Sequence, residues 1–248
     1  MNHTFSAFSW QNGLLFDYSD NLFPTKLHAL VGAQLFPLKE GSTYFVFQQE
    51  GFAYVGGRFP LPAGYYGSLT AKEEFIQGSD DAKVLIIERI GYSGVFSIGG
   101  PIEETGRLKY IDGCTDSLLV PPVKLGDPCF NHLHFPAGID QTMHTHPSMR
   151  VGLVTRGNGT CTTPFGDIPL VPGQIFIIHP DNGNVEPGTD GVKYPVGSHC
   201  FSTNDSTMDV IAYHPDSDFG PMDEDHPMIN RTIVNGISAK HLEAIRTK

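Results

Sequence analysis

Two histidines two residues apart, His144 and His146, lie in a stretch that runs from Gly138 through Arg150 to Gly157. Side chains alternate across an extended strand, so a His-x-His pair there sets both rings on one face. Neutral imidazole is the commonest protein ligand for zinc, iron, copper and nickel, and this pair offers two ligands to one ion. Arg150 has the same parity, so an unbroken strand aims a fixed cation at the same place. The chemistry these residues point to is metal binding next to a place for an anion.

Short strands must position such a pair, and the composition predicts them. The chain has 248 residues, with 28 glycines and 19 prolines, enough turn formers to cut it into many short strands. Its formal net charge of -11 argues against binding nucleic acid or an anionic membrane surface. Cys114, Cys129, Cys161 and Cys200 form no C-x-x-C pair, which speaks against a zinc ribbon and for reduced cysteines. The opening residues lack the basic and apolar regions of a signal peptide, and no apolar run is long enough to span a bilayer. The expectation is a soluble cytoplasmic protein.

Strand signals, β-branched or aromatic runs cut by Gly, Pro, Asn or Asp, begin after an aromatic N-terminal arm over residues 1–26. They cover residues 27–38, 43–48, 52–55, 83–89 and 94–98, and resume at 129–135, 151–155, 174–178, 199–203 and 208–213. Residues 70–75 look briefly helical, 99–106 and 110–126 look like a linker, and 238–248 carry helix formers that predict a short C-terminal helix. A faint internal echo spans the two halves. A strand ending at Gly51 leads to Pro60, Pro62 and Gly64, and a strand ending at Gly157 leads to Pro169, Pro172 and Gly173. A repeat at this spacing predicts an all-β chain of two homologous barrels.

The spacing around the histidine pair resembles the first motif of the cupin superfamily, small jelly-roll barrels that hold a metal ion. Gly138 is followed after five residues by His144-Thr-His146, then three residues to Arg150 and six to Gly157. Every interval matches, and Arg150 stands where the family's ligating Glu would be. The looser second motif is matched by Pro172-Gly173, an apolar strand to Ile178, and a histidine. His179 and His199 compete for that place, and the run from His199 to Asn204 fits the family pattern better. The resemblance thus implies two tandem cupin jelly-roll barrels: a degenerate, metal-free one with its arm in residues 1–106, and a metal-binding one in residues 107–248. It implies a metal site of His144, His146 and His199, with residues 180–198 as a loop inserted before the third ligand.

Three imidazoles without a carboxylate leave a divalent metal its full charge and open positions, as in some cupin dioxygenases. Fe(II) is the favoured ion, with Mn, Zn or Ni as alternatives. Arg150 beside it makes the pocket electropositive, and a guanidinium grips a carboxylate as a fork. The expectation is a dioxygenase acting on a small anionic, carboxylate-bearing molecule. The alternatives are a non-oxidative metal cupin, an isomerase or lyase of a sugar acid or keto acid, and a non-catalytic binding module. Arg150 has two other readings: it bridges to an acid such as Asp167 or Asp209, or it marks a weakened metal site. His132 and His134 form a second His-x-His. They either line the pocket, with His134 as an acid/base group, or are structural histidines with hydrogen-bonded rings. His214 and the acidic run from Asp216 to His226 read as a solvated loop. The arm and the jelly-roll edges suit a homodimer.

Overall fold

The computed structural model describes residues 4–217 and 232–242. Among these residues the secondary structure is antiparallel strand, and the only helical pieces are single 3-10 turns such as Ala71–Glu73. None of the helices is long and apolar enough to cross a membrane. All four cysteines are buried, and none is in a disulfide.

Each half of the chain builds a barrel from one large and one small sheet. In the first half, a six-stranded sheet runs in the order Ser97–Gly99, Tyr66–Leu69, Ser42–Glu50, Lys83–Ile90, Thr25–Val31, Gly13–Tyr18. It faces a four-stranded sheet of Leu35–Pro37, Phe75–Gly78, Phe52–Val55 and Phe59–Pro62. In the second half, a seven-stranded sheet holds Cys129–Phe135, Arg150–Gly157, Ile175–Ile178 and Met208–His214 at its centre, with Thr115–Val120 and Leu108–Lys109 at one edge. It faces a three-stranded sheet of Gly166–Leu170, Gly159–Thr163 and Cys200–Ser202.

The central strands read as unbroken apolar runs because both of their faces are covered. Along Lys83–Ile90, Val84 and Ile86 enter the first barrel's interior, whereas Leu85 and Ile87 point the other way. Along Ile175–Ile178, Phe176 and Ile178 enter the second barrel, whereas Ile175 and Ile177 meet Leu85 and Ile87 in a shared layer. Three cores result: one inside each barrel and one between the two large sheets. Phe45, Phe130 and Tyr213 anchor the middle one, with ring centroids 6.1 and 5.1 Å from that of Phe45.

The internal echo is a topological repeat. Gly51 and Gly157 each leave a central strand with positive φ, at 68° and 69°, and each opens the next hairpin. A Cβ on Gly157 would sit 1.8 Å from the carbonyl oxygen of Thr207, so this position of the motif excludes any side chain.

Three expectations need correcting. The supposed linker contains the strand Thr115–Val120, which pairs with Cys129–Phe135. The brief helix at 70–75 is one 3-10 turn, closed by a capping box between Thr70 and Glu73. Of the expected C-terminal helix, Ser238 is the end of a two-residue strand and Ala239–His241 is a 3-10 turn; residues 243–248 lie outside the described ones.

The arm also departs from a clean division at residue 106. Phe5–Phe8 pairs with Ile175–Ile178 in the second half's sheet, and Phe5 stacks on Phe176 at 5.3 Å. Trp10 Nε1 then donates to the carbonyl of Gly173 at 2.6 Å. The chain joins the first half from Asn12, whose side chain exchanges two hydrogen bonds with the backbone of Val31, and pairs with it from Gly13.

Candidate metal centre

His144, His146 and His199 meet inside the second barrel, with their nearest ligand atoms all within 4.8 Å of one another. Among the described residues no other group of three or more His, Cys, Asp or Glu side chains is placed to hold an ion. His144 and His199 face each other across an isolated bridge, where the two backbones exchange hydrogen bonds of 2.9 and 3.0 Å. The pair His144-x-His146 does not lie on a regular strand, contrary to expectation; the strand begins only at Arg150. Pro147 accounts for this, because it has no N–H to continue a ladder.

The ring orientations suit a metal. His144 Nδ1 is 2.7 Å from the carbonyl of Thr142, and His199 Nδ1 is 2.8 Å from that of Gly197. A carbonyl only accepts, so both Nδ1 atoms carry the proton and both Nε2 atoms keep a lone pair. Burial is the main force holding His146 down, to about 2, and the Arg150 charge and the other histidines add to it. Burial likewise lowers His199 to about 4, against the hydrogen bond to Gly197. Both rings are therefore neutral near neutral pH, the form that ligates. The three rings would supply three nitrogens to one ion. The three-nitrogen donor set fits a divalent transition metal.

Apolar side chains, Phe135, Phe176, Ile178 and Phe201 among them, surround the trio. The space left beside it is about 30 Å³, room for roughly two waters. His146, Arg150, Tyr110 and His214 also line a larger outer chamber of about 630 Å³. The two spaces share these four lining residues.

Arg150 lines both spaces. Its Nη1 donates to the carbonyls of Ser148 and Met149 at 3.2 Å, to Ser148 Oγ, and to Asp216 Oδ1 at 3.3 Å. Its Nε is buried and has no partner. Arg150 does bridge an acid, but that acid is Asp216, not Asp167 or Asp209. Asp167 accepts from Thr162 Oγ1, and Asp209 lies on the far side of the sheet.

The remaining sequence candidates fall elsewhere. His179 does not reach the trio; its Nε2 is 2.8 Å from Ser6 Oγ under the arm. His132 and His134 have the opposite parity to Leu133 and Phe135, which line the inner cavity. His132 Nε2 and His134 Nδ1 lie 2.7 and 2.9 Å from Asp209 Oδ1, and Arg156 Nε closes the cluster at 3.1 Å from Oδ2. His134 is thus bound into a buried ionic cluster between the two halves and is not brought to the trio. Of the acidic run, Asp216 and Ser217 are described, and the rest lies outside the described residues.

Sequence reasoning missed Tyr110, the pocket role of His214, and the pair Asp116 and Asn131. His214 shares parity with Met208, Val210 and Ala212, which all enter the barrel, so strand alternation was the signal available for it. Burial and Arg150 hold its ring well below the usual histidine range.

No protein-family model matches the chain, and no curated protein matches its sequence. Solved structures do match. The E. coli protein Ylba aligns with a TM-score of 0.57 at 15% identity, covering 88% of this chain and 93% of its own. A putative glyoxylate-induced protein from Pseudomonas aeruginosa gives 0.59 at 12%, covering 87% and 90%. Salicylate 1,2-dioxygenase from Pseudoaminobacter salicylatoxidans gives 0.51 at 11%, covering 76% and 67%. A cupin 2 conserved barrel domain protein from Leptotrichia buccalis is also among the matches. The fold is that of the cupin superfamily. The chain has two such barrels in tandem, with a candidate metal centre in the second.

Proposed function

We propose that the protein is a metal-dependent cupin enzyme that binds a small carboxylate-bearing molecule beside its trihistidine site, and that it is a dioxygenase using Fe(II). The observation that carries this reading is the unpartnered Nε of Arg150, buried beside the three histidines. A buried donor without a partner is costly, of order 1–3 kcal/mol, and more for a charged group. A carboxylate entering from the outer chamber relieves that cost and balances the positive charge. When bound, the ion supplies Lewis acidity and, if it is iron, oxygen chemistry.

The chain's own groups do the rest. Arg150, pinned by Ser148 and Asp216, orients the acid. His146 lines both spaces, and the aromatic sleeve limits the room beside the trio to about two waters. The dioxygenase reading draws support from a salicylate 1,2-dioxygenase among the proteins that share the fold, since its named substrate is a small acid.

The test is metal analysis of purified protein followed by oxygen uptake with a panel of small aliphatic and phenolic acids. The expected result is close to one transition metal per chain and uptake that depends on the acid. Turnover that proceeds equally well without oxygen overturns the dioxygenase, and absence of metal binding overturns the enzyme.

A further inference from the structure

The wall of the outer chamber contains two polar side chains that the metal site does not use. Asp116, on the strand Thr115–Val120, pairs in register with Leu133, and its neighbour Leu118 pairs with Asn131. Asn131 Nδ2 donates to Asp116 Oδ2 at 2.6 Å. Both residues are buried, at 7% and 3% exposure, yet both line the chamber together with Arg150 and His146. Each also retains an acceptor, Asp116 Oδ1 and Asn131 Oδ1, that is buried and has no partner. Much of the wall around them is apolar, with Leu118, Pro122 and Leu125. Buried acceptors left unpaired are costly, and two stand side by side here.

We propose that Asp116 and Asn131 form a second recognition point, which accepts hydrogen bonds from a hydroxyl or amine group on the molecule whose carboxylate Arg150 holds. This rests on the carboxylate reading above and deepens it. The substrate class becomes hydroxy or amino acids, with a donor group set apart from the carboxylate. Burial lifts the Asp116 carboxyl to about 6, against the pull of Asn131, His132 and the backbone N–H of Ser117. Arg150 and the Asp116–Asn131 pair thus present opposite demands within one chamber, a donor for an anion and acceptors for an N–H or O–H.

Calorimetry on the zinc-loaded full chain tests this, with ω-hydroxy acids of three to six carbons and their unsubstituted parents as probes. The expected result is a hydroxy acid, at one length, binding about tenfold or more tighter than its parent. Asp116→Leu and Asn131→Leu should each erase that preference and leave the parent acid within about twofold, with thermal melts confirming a folded chain. Equal affinity for hydroxy acids and parents at every length, while Arg150→Ala still weakens parent binding about tenfold or more, overturns the second recognition point alone. A preference that survives in both leucine variants overturns it too. If no acid binds, or binding ignores Arg150→Ala, the carboxylate reading itself falls, and the recognition point with it.

Discussion

His144 and His199, 55 positions apart in sequence, are joined through their backbones in both directions, N–H to C=O at 2.9 and 3.0 Å. This bridge fixes the spacing of the two rings before any ion arrives. Their Nδ1 atoms are tied to carbonyls, so the Nε2 lone pairs converge without further choice of tautomer.

Removing either ring should therefore cost the metal and little else. His199→Ala and His146→Ala are each expected to weaken metal retention by about a hundredfold or more, whereas His179→Ala leaves it unchanged. Metal content after dialysis, measured on chains shown to be folded, checks this. Equal loss in all three variants would rule out the trio.

Arg150→Ala should spare the metal, since it removes a positive charge from beside the ion. The affinity for carboxylate probes is expected to fall about ten- to a hundredfold, the worth of a charge-assisted hydrogen bond. Arg150→Lys should recover only part of that, because an ammonium has no fork. Titration of the zinc-loaded variants with small acids gives the comparison.

Acid stability should depend on Asp209. Burial pushes its carboxyl up, but the hydrogen bonds of His132 and His134 and the Arg156 charge outweigh burial and hold it below the usual range. A folded-state pKa below the unfolded value gives stability that is present above about 4 and lost as pH falls through the folded value. Asp209→Asn is expected to destabilise the chain near neutral pH by about 3 kcal/mol and to flatten the acid limb. Urea melts between neutral and acid pH measure both effects.

The layer between the barrels should govern global stability without touching the site. Phe45→Ala removes a fully buried ring that meets Phe130 and Tyr213, at an expected cost of about 3–5 kcal/mol. Metal stoichiometry of the folded variant should stay at the wild-type value.

The alternating and doubly buried strands were legible in the sequence because Val, Ile and aromatic residues mark them, as at Phe52–Val55 and Cys129–Phe135, where the bounds agree. The three histidines were legible because motif spacing survives even where the local structure is irregular. The strand Thr115–Val120 was not. Its Asp116 and Ser117 face cavities rather than the apolar core, and Pro121 and Pro122 follow at once, so it reads as a turn-rich linker. The partner of Arg150 was equally hidden. Parity placed the guanidinium near the rings, but which acid meets it depends on a bend after Met208–His214 that brings Asp216 back. His134 misled because its pattern matches His144-x-His146, whereas its strand turns that face toward the other barrel.

The crossing of Phe5–Phe8 into the second sheet bears on how the chain is made. Ser6 and His179 are 173 positions apart, yet their side chains meet. At 5–20 residues per second, a ribosome takes roughly ten to thirty seconds to supply that partner. During this interval the strand Phe5–Phe8 lacks its partner strand. Closure of the second barrel's edge accordingly waits for Ile175–Ile178 to be made, and it couples Phe5–Phe8 to the half that holds the candidate metal centre.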